Sequence, residues 1–198
     1  MSLEAIRARR SIRKFLPDPV PREVIGQVLE AARLAPSGKN QQPWRFAVYG
    51  GEEKRALLEA MARGLERELH GRALLPASRA GLADAANTLR IMRKAPVLIL
   101  ALDACGDDPF GPSEGGARIA DLVNTLSMGA AIENLLLAAQ ELGLGALWIA
   151  NTFFAYPELC ACLDTPLRLV SAVALGYADE EPPARPRKPL EEICSYWL

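Results

Sequence analysis

The sequence predicts a single globular domain of mixed α and β structure, organised around one long buried helix. Three observations predict it. Residues 121–142, DLVNTLSMGAAIENLLLAAQEL, run from a capping Asp121 to a Gly143 stop signal and are apolar around most of the helix circumference. Four short apolar runs, residues 46–49, 96–102, 146–150 and 169–175, read as strands between helical segments. A chain of 198 residues, half hydrophobic and a quarter charged, suits one substantial core rather than two domains.

The long helix spans about 33 Å at the usual rise. Asp121, Asn124, Glu133, Asn134 and Glu141 interrupt it, which makes it a poor membrane span. Ser127, Gly129, Ala130 and Ala131 form a small-residue stripe that lets a backbone, a partner helix or a flat ligand approach closely. Such a helix belongs in a core or between subunits.

Residues 3–9 read as a short helix with Leu3 and Ile6 inward, leading into Arg9-Arg10-Ser11-Ile12-Arg13-Lys14-Phe15. Apart from Ile12 and Phe15, this is a compact cation cluster with one hydroxyl. It is either a solvated basic surface or an anion site, since guanidinium forks match phosphate oxygens and Ser11 adds a neutral donor. Pro17, Pro19 and Pro21 keep the next stretch extended, and residues 22–35 form a helix with Val24, Ile25, Val28, Leu29 and Ala32 on one face. The loop that follows, Pro36-Ser37-Gly38-Lys39-Asn40-Gln41-Gln42-Pro43-Trp44, concentrates hydrogen-bonding groups between a helix and a strand. Such groups suit an ordinary turn, or the edge of a heterocycle or ribityl chain. Trp44 reads as a core anchor.

Residues 52–69 form an amphipathic helix with mixed charge outside. Residues 72–93 are helical with a break near Pro76, and serve either as a lid or as a partner-facing arm. The run 96–102, PVLILAL, fits a central strand buried on both faces. Residues 105–118 form a polar loop, and 156–163 a short helix. The tail, 179–198, carries a second basic cluster, Arg185, Arg187 and Lys188, in a proline-stiffened segment.

Composition excludes several functions. A formal net charge of −1 gives no global bias toward nucleic acid or anionic membrane, so any anion site is local. The start, MSLEAIRARR, lacks a signal-type apolar core, which suggests a cytosolic protein. Cys105, Cys160, Cys162 and Cys194 lack zinc-ligand spacing and read as free thiols. The lone histidine, His70, lies in a charged helix and argues against a Ser-His-Asp or Cys-His mechanism. Chemistry, if any, comes from a bound cofactor.

Four motifs in order resemble the nitroreductase-like family of FMN-dependent oxidoreductases over essentially the whole chain. They are Arg9-Arg10-Ser11-Ile12-Arg13, then Pro36-Ser37-Gly38-x-Asn40-x-Gln42-Pro43-Trp44, then Ala131-x-x-Asn134-Leu135 through Leu142-Gly143-Leu144-Gly145, and Arg187-Lys188-Pro189-Leu190-Glu191-Glu192. The resemblance implies an α+β three-layer sandwich spanning residues 1–198, with a mixed, mostly antiparallel sheet flanked by helices. It implies a homodimer with the long helix at the interface and two FMN sites built from both subunits. Arg9, Ser11, Arg13, Arg187 and Lys188 would bind the phosphate and ribityl chain, with backbone contacts from Arg10 and a weaker role for Arg185. Pro36, Ser37, Gly38 and Asn40 of the other subunit would line the ring. Leu147, Trp148 and Ile149 match the segment that offers backbone N–H groups near N5. NADH or NADPH would be the donor, and a nitroaromatic, quinone or similar small molecule the acceptor. Ala150-Asn151-Thr152 depart from the Glu-Gly or Gly-Ser sequence common at that place, which bears on acceptor choice. The alternatives are other flavin chemistry on the same scaffold, such as dehalogenation, flavin fragmentation or azoline oxidation, and a non-enzymatic module that binds FMN or another phosphorylated ligand.

Overall fold

The apolar runs pair as a four-stranded sheet: β1 (Trp44–Gly50), β2 (Val97–Asp103), β3 (Gly145–Ile149) and β4 (Arg168–Gly176), in the order β1-β2-β4-β3. The computed structural model describes residues 3–112 and 114–198. Met1 and Ser2 of the leader reading, and Ser113 of the 105–118 loop, lie outside the described residues. All three strand pairings are antiparallel, and a single bridge between Ser11 and Ala146 is parallel. A bulge between β2 and β4 places Ala101 opposite Ser171 and Leu102 opposite Leu169, so Val170 is the extra residue.

Among the described residues six α-helices flank the sheet: α1 (Leu3–Ala8), α2 (Arg22–Arg33), α3 (Lys54–His70), α4 (Leu82–Lys94), α5 (Gly115–Glu141) and α6 (Tyr156–Leu163). β2 is buried along its whole length, as its unbroken apolar run predicts. Leu98, Leu100 and Leu102 face α3, α4 and α6, whereas Val97, Ile99 and Ala101 face α2 and α5. The result is the α+β three-layer sandwich expected. Met128, Ile132 and Leu135 of α5 are fully buried in the second layer, each contributing about 1.5–3 kcal/mol of burial.

Three expectations change. α5 begins six residues before Asp121, and Asp121 is not its cap: its carboxylate accepts a hydrogen bond from Arg168 instead. The first half of the helix is mostly exposed, with Ile119, Leu122, Val123 and Leu126 on the surface of the single chain and Asn124 and Ser127 buried, so apolar burial begins at Met128. Leu3 and Ile6 of α1 are not inward. Ala5 is the buried residue there. The 72–93 segment resolves into a 3₁₀ turn, Pro76–Gly81, and α4, whose Leu82, Ala85, Leu89 and Met92 pack into the core. That part is a wall of the sandwich and not a lid. Trp44 is buried and His70 exposed, as read.

At 27 residues α5 is long and apolar enough to cross a membrane by length and composition, yet 56% of its most apolar window is buried against the protein. Buried charge is held by specific partners. The Lys54 amine donates to the carbonyl of Ala95 and sits 3.5 Å from that of Arg93, closing the carbonyl end of α4. Glu68 accepts backbone N–H groups from Leu74 (2.8 Å) and Leu75 (3.2 Å) and a guanidinium N–H from Arg67. Arg168 joins three elements, donating to Asp103 on β2 at 2.7 Å, and to Asp121 and Thr125 on α5.

Candidate functional site

Residues 9–16 form an extended segment stitched to the sheet. Ile12 N–H donates to Ala146 O at 3.0 Å, Leu16 N–H to Tyr177 O at 2.9 Å, and Asp179 N–H to Lys14 O at 3.0 Å. Ile12 and Phe15 turn inward and are buried, while the polar residues between them stay at the surface. Gly145 makes this docking possible. A Cβ there would lie 2.8 Å from Ile12 Cγ2 and 2.9 Å from its Cβ. The sequence marked Gly145 only as part of a motif; its physical role is close approach.

Glu180 brings the tail back over this segment. Its Oε1 accepts the backbone N–H groups of both Arg13 and Lys14, the latter at 3.1 Å. The chain then passes through Pro182 and Pro183, and the two basic clusters meet in a cleft of about 340 Å³. Its lining includes Arg7, Arg9, Arg10, Ser11, Arg13, Arg185 and Arg187, with Ile6 and Pro182 to Ala184 as apolar walls and, among the described residues, no carboxylate. Ile6 therefore serves the cleft rather than the core. Lys188 does not line it.

Backbone carbonyls and one carboxylate fix the positions of these guanidinium groups. Arg10 is folded back, donating to the carbonyls of Arg7 (2.6 Å) and Arg9 (2.9 Å). Arg13 donates to Ser11 O at 3.0 Å, and Arg187 to the carbonyls of Arg185 and Pro186 at 3.2 Å each. Arg9 Nε lies 3.3 Å from Glu133 on α5, but the alignment makes no hydrogen bond and the buried Nε is left unsatisfied. A buried donor that lacks a hydrogen bond, beside several guanidinium groups fixed by carbonyls, fits phosphate oxygens.

A second pocket, about 250 Å³, shares Arg13 with the cleft and is lined by residues 147–151 of β3 and its exit. Leu147 and Ile149 are buried; Trp148 is 42% exposed, with its indole N–H donating to Ser171 Oγ at 3.0 Å. The opposite wall is α4, through Asp84, Asn87, Thr88 and Ile91. Sequence reasoning missed these four, although their spacing of three, four and seven puts them on one helical face. It also missed Arg7 and Glu180. Asn151, at the departure from the family pattern, clamps this wall: its Nδ2 donates to Asp84 Oδ2 and Thr88 Oγ1, both at 2.9 Å.

The Pro36, Ser37, Gly38 and Asn40 loop lines neither pocket of its own chain. It docks on α5 instead. Gly38 N–H donates to Ser127 Oγ at 3.3 Å, and a Cβ at Gly38 would meet Val123 Cγ1 at 2.4 Å. Lys39, Asn40 and Gln42 all have positive φ, of 52°, 56° and 50°, with Gln41 right-handed between them, a conformation that costs energy for side chains other than glycine. Ser37 Oγ accepts the Gln42 N–H at 3.0 Å and fixes the turn.

Comparison with known proteins agrees with this architecture. YfhC of Bacillus subtilis strain 168, which carries the name NAD(P)H nitroreductase, is 31% identical over 193 residues, covering 96% of this chain and 90% of its own. A Rhodospirillum rubrum protein named 5,6-dimethylbenzimidazole synthase is 33% identical over 181 residues, covering 88% of this chain and 81% of its own. Among solved structures, a variant of the FMN- and NADPH-dependent nitroreductase NfnB from Sphigopyxis sp. strain HMH superposes with a TM-score of 0.77 at 26% identity, covering 99% of both chains. Residues 6–177 match the profile described as Nitroreductase family, and the chain belongs to that family.

Proposed function

We propose that the chain is an FMN-dependent oxidoreductase that draws a hydride from NADH or NADPH and reduces nitroaromatic, quinone or similar small acceptors in a ping-pong cycle. The observation that carries this reading is the meeting of the two basic clusters in one carboxylate-free cleft next to the β3 pocket. Family membership and the FMN- and NADPH-dependent neighbour support it.

Bound FMN supplies the hydride chemistry, so no side chain is needed as a nucleophile. Arg9, Ser11, Arg13 and Arg187 would hold its phosphate, with Arg185 and, from outside the cleft, Lys188 adding charge. Arg10 stiffens the turn through its bonds to the carbonyls of Arg7 and Arg9. Leu147, Trp148 and Ile149 would border the ring edge, and Asn151 holds their exit against α4. Donor and acceptor would occupy the same place in turn, the pocket lined by residues 147–151 and α4. No side chain is given a proton-transfer role.

The protein acts in the cytoplasm as a homodimer. Support comes from the apolar surface left on a single chain: Ile119, Leu122 and Leu126 on α5, and Leu190, Ile193, Tyr196 and Trp197 in the tail. Pro36, Ser37, Gly38 and Asn40 reach the partner's ring from such an interface. Light scattering on the purified protein gives twice the chain mass if this holds.

The direct test is an absorption spectrum before and after heat release. Flavin bands and about one released FMN per chain are expected. A colourless protein that takes up no added FMN refutes the reading. The similarity to a protein named 5,6-dimethylbenzimidazole synthase favours a second reading, a different flavin reaction on the same scaffold. Stoichiometric NAD(P)H oxidation and acceptor reduction with the flavin recovered intact decide for the first.

A further inference from the structure

A second basic surface adjoins the ring-side pocket. It is a groove of about 510 Å³ between α4 and the extended segment after Ser11. Arg13 and Lys14 stand on one wall and Arg90, Arg93 and Lys94 on the other, with Glu180 as the one acid. Among the described residues none of these five cations has a carboxylate within ion-pair distance. Glu180 spends one oxygen on two backbone N–H groups instead. Five unpaired cations facing one another repel, and a polyanion between them relieves that repulsion.

The groove is continuous with the ring-side pocket, because Arg13, Asn87 and Ile91 line both. On α4, Asn87, Arg90 and Lys94 share one face and extend away from the ring over about 10 Å at helical rise. A dinucleotide with its nicotinamide at the ring would lay its phosphorylated half along this stripe. Basic residues in a last turn also suit the carbonyl end of a helix. That preference does not call for Arg13 and Lys14 on the facing segment.

We propose that this groove binds the phosphates on the adenosine side of the donor, that Arg93 and Lys94 read its 2′-phosphate, and that the enzyme therefore prefers NADPH to NADH. The inference rests on the NAD(P)H reading above. The 2′-phosphate dianion is the sole difference between the two donors. An arginine fork can grip it bidentately while a lysine adds a point charge.

The test titrates FMN-loaded protein with 2′,5′-ADP and with 5′-AMP by calorimetry at low salt. Binding of 2′,5′-ADP at least tenfold tighter than 5′-AMP is expected, with the difference abolished in Arg93→Ser/Lys94→Ser. Equal affinities, or a preference that survives the double substitution, overturn the proposal. Displacement of bound FMN by 2′,5′-ADP also overturns it, by giving the groove to the flavin. In steady state the ratio of kcat/KM for NADPH over NADH is expected above ten and falls at least tenfold in the double variant; a ratio near one overturns the preference. A flavin-loaded protein that oxidises neither nucleotide defeats the donor reading itself, and the 2′,5′-ADP titration then still decides whether the groove recognises the phosphate.

Discussion

Replacing Gly145 by alanine should damage stability and flavin affinity together. The added methyl carbon would sit 2.8–2.9 Å from three carbons of Ile12, against an optimal carbon separation of about 3.5–4.0 Å. Relief needs a shift of roughly 0.7–1 Å. Ile12 cannot retreat freely, because it is 7% exposed within the core and its N–H is bonded to Ala146 O at 3.0 Å. Overpacking costs about 1–3 kcal/mol and loss of the backbone bond about 1 kcal/mol. The lower entropy of the unfolded alanine chain returns about 0.4–1 kcal/mol. The net loss is therefore about 1–3.6 kcal/mol, read as a lower midpoint in urea unfolding of the apoprotein. The displaced segment carries Arg9, Ser11 and Arg13, so FMN should also bind more weakly in a fluorescence titration. Ile12→Ala makes the cause specific: in the Gly145→Ala background it should cost less than in the wild type, a positive coupling in a double-mutant cycle. A stability change within 0.5 kcal/mol, a size typical of neutral substitutions, or additive effects of the two substitutions, would refute the close-approach argument.

Three further outcomes follow from the same geometry. Arg13→Ala should weaken FMN binding by about 1–3 kcal/mol, the range of a charge-assisted hydrogen bond, in titration of the apoprotein; an unchanged Kd counts against its role at the phosphate. Arg168→Met leaves Asp103, which is fully buried, without its ion partner, and should cost about 3–5 kcal/mol in thermal or urea unfolding, whereas a loss under 1 kcal/mol would show that water satisfies the site. Burial alone would raise the Glu68 carboxyl, but the N–H groups of Leu74 and Leu75 and the Arg67 guanidinium outweigh it and hold the group below its ordinary value. Its stabilisation is thus present above the ordinary carboxylate range and lost as pH falls through the lowered value. Glu68→Gln should destabilise at pH 7 and flatten the acid limb of the stability profile; a parallel profile would remove Glu68 from that limb.

Local signals located most of the fold. The strands fall within two residues of their apolar runs because β-branched and leucine-rich stretches between breakers leave little choice. Where the reading failed, the deciding partner was remote. Asp121 has the chemistry of a helix cap, but Arg168 claims its carboxylate from 47 residues away, and Gly115-Gly116 start a helix that two glycines would discourage. The basic cleft was legible as charge: two arginine-rich clusters far apart in sequence do meet. Its other parts were not. Asp84, Asn87 and Thr88 look like ordinary surface residues of a helix until β3 is placed opposite them. Glu180 is one of three consecutive acids, and nothing local marks it as the residue that holds two backbone N–H groups.

The latch made by Glu180 also sets an order of events in time. It links positions 167 apart to Arg13 and 166 apart to Lys14. At about 5–20 residues per second of synthesis, a ribosome delivers Glu180 roughly ten to thirty seconds after Arg13. All four strands are made by then, so the sheet can assemble on a nascent chain that still lacks Arg185 and Arg187. Such a chain is folded in its core yet offers only half of the anion cleft. The complete basic cleft therefore exists only in molecules whose late-made segment has docked on the early-made one.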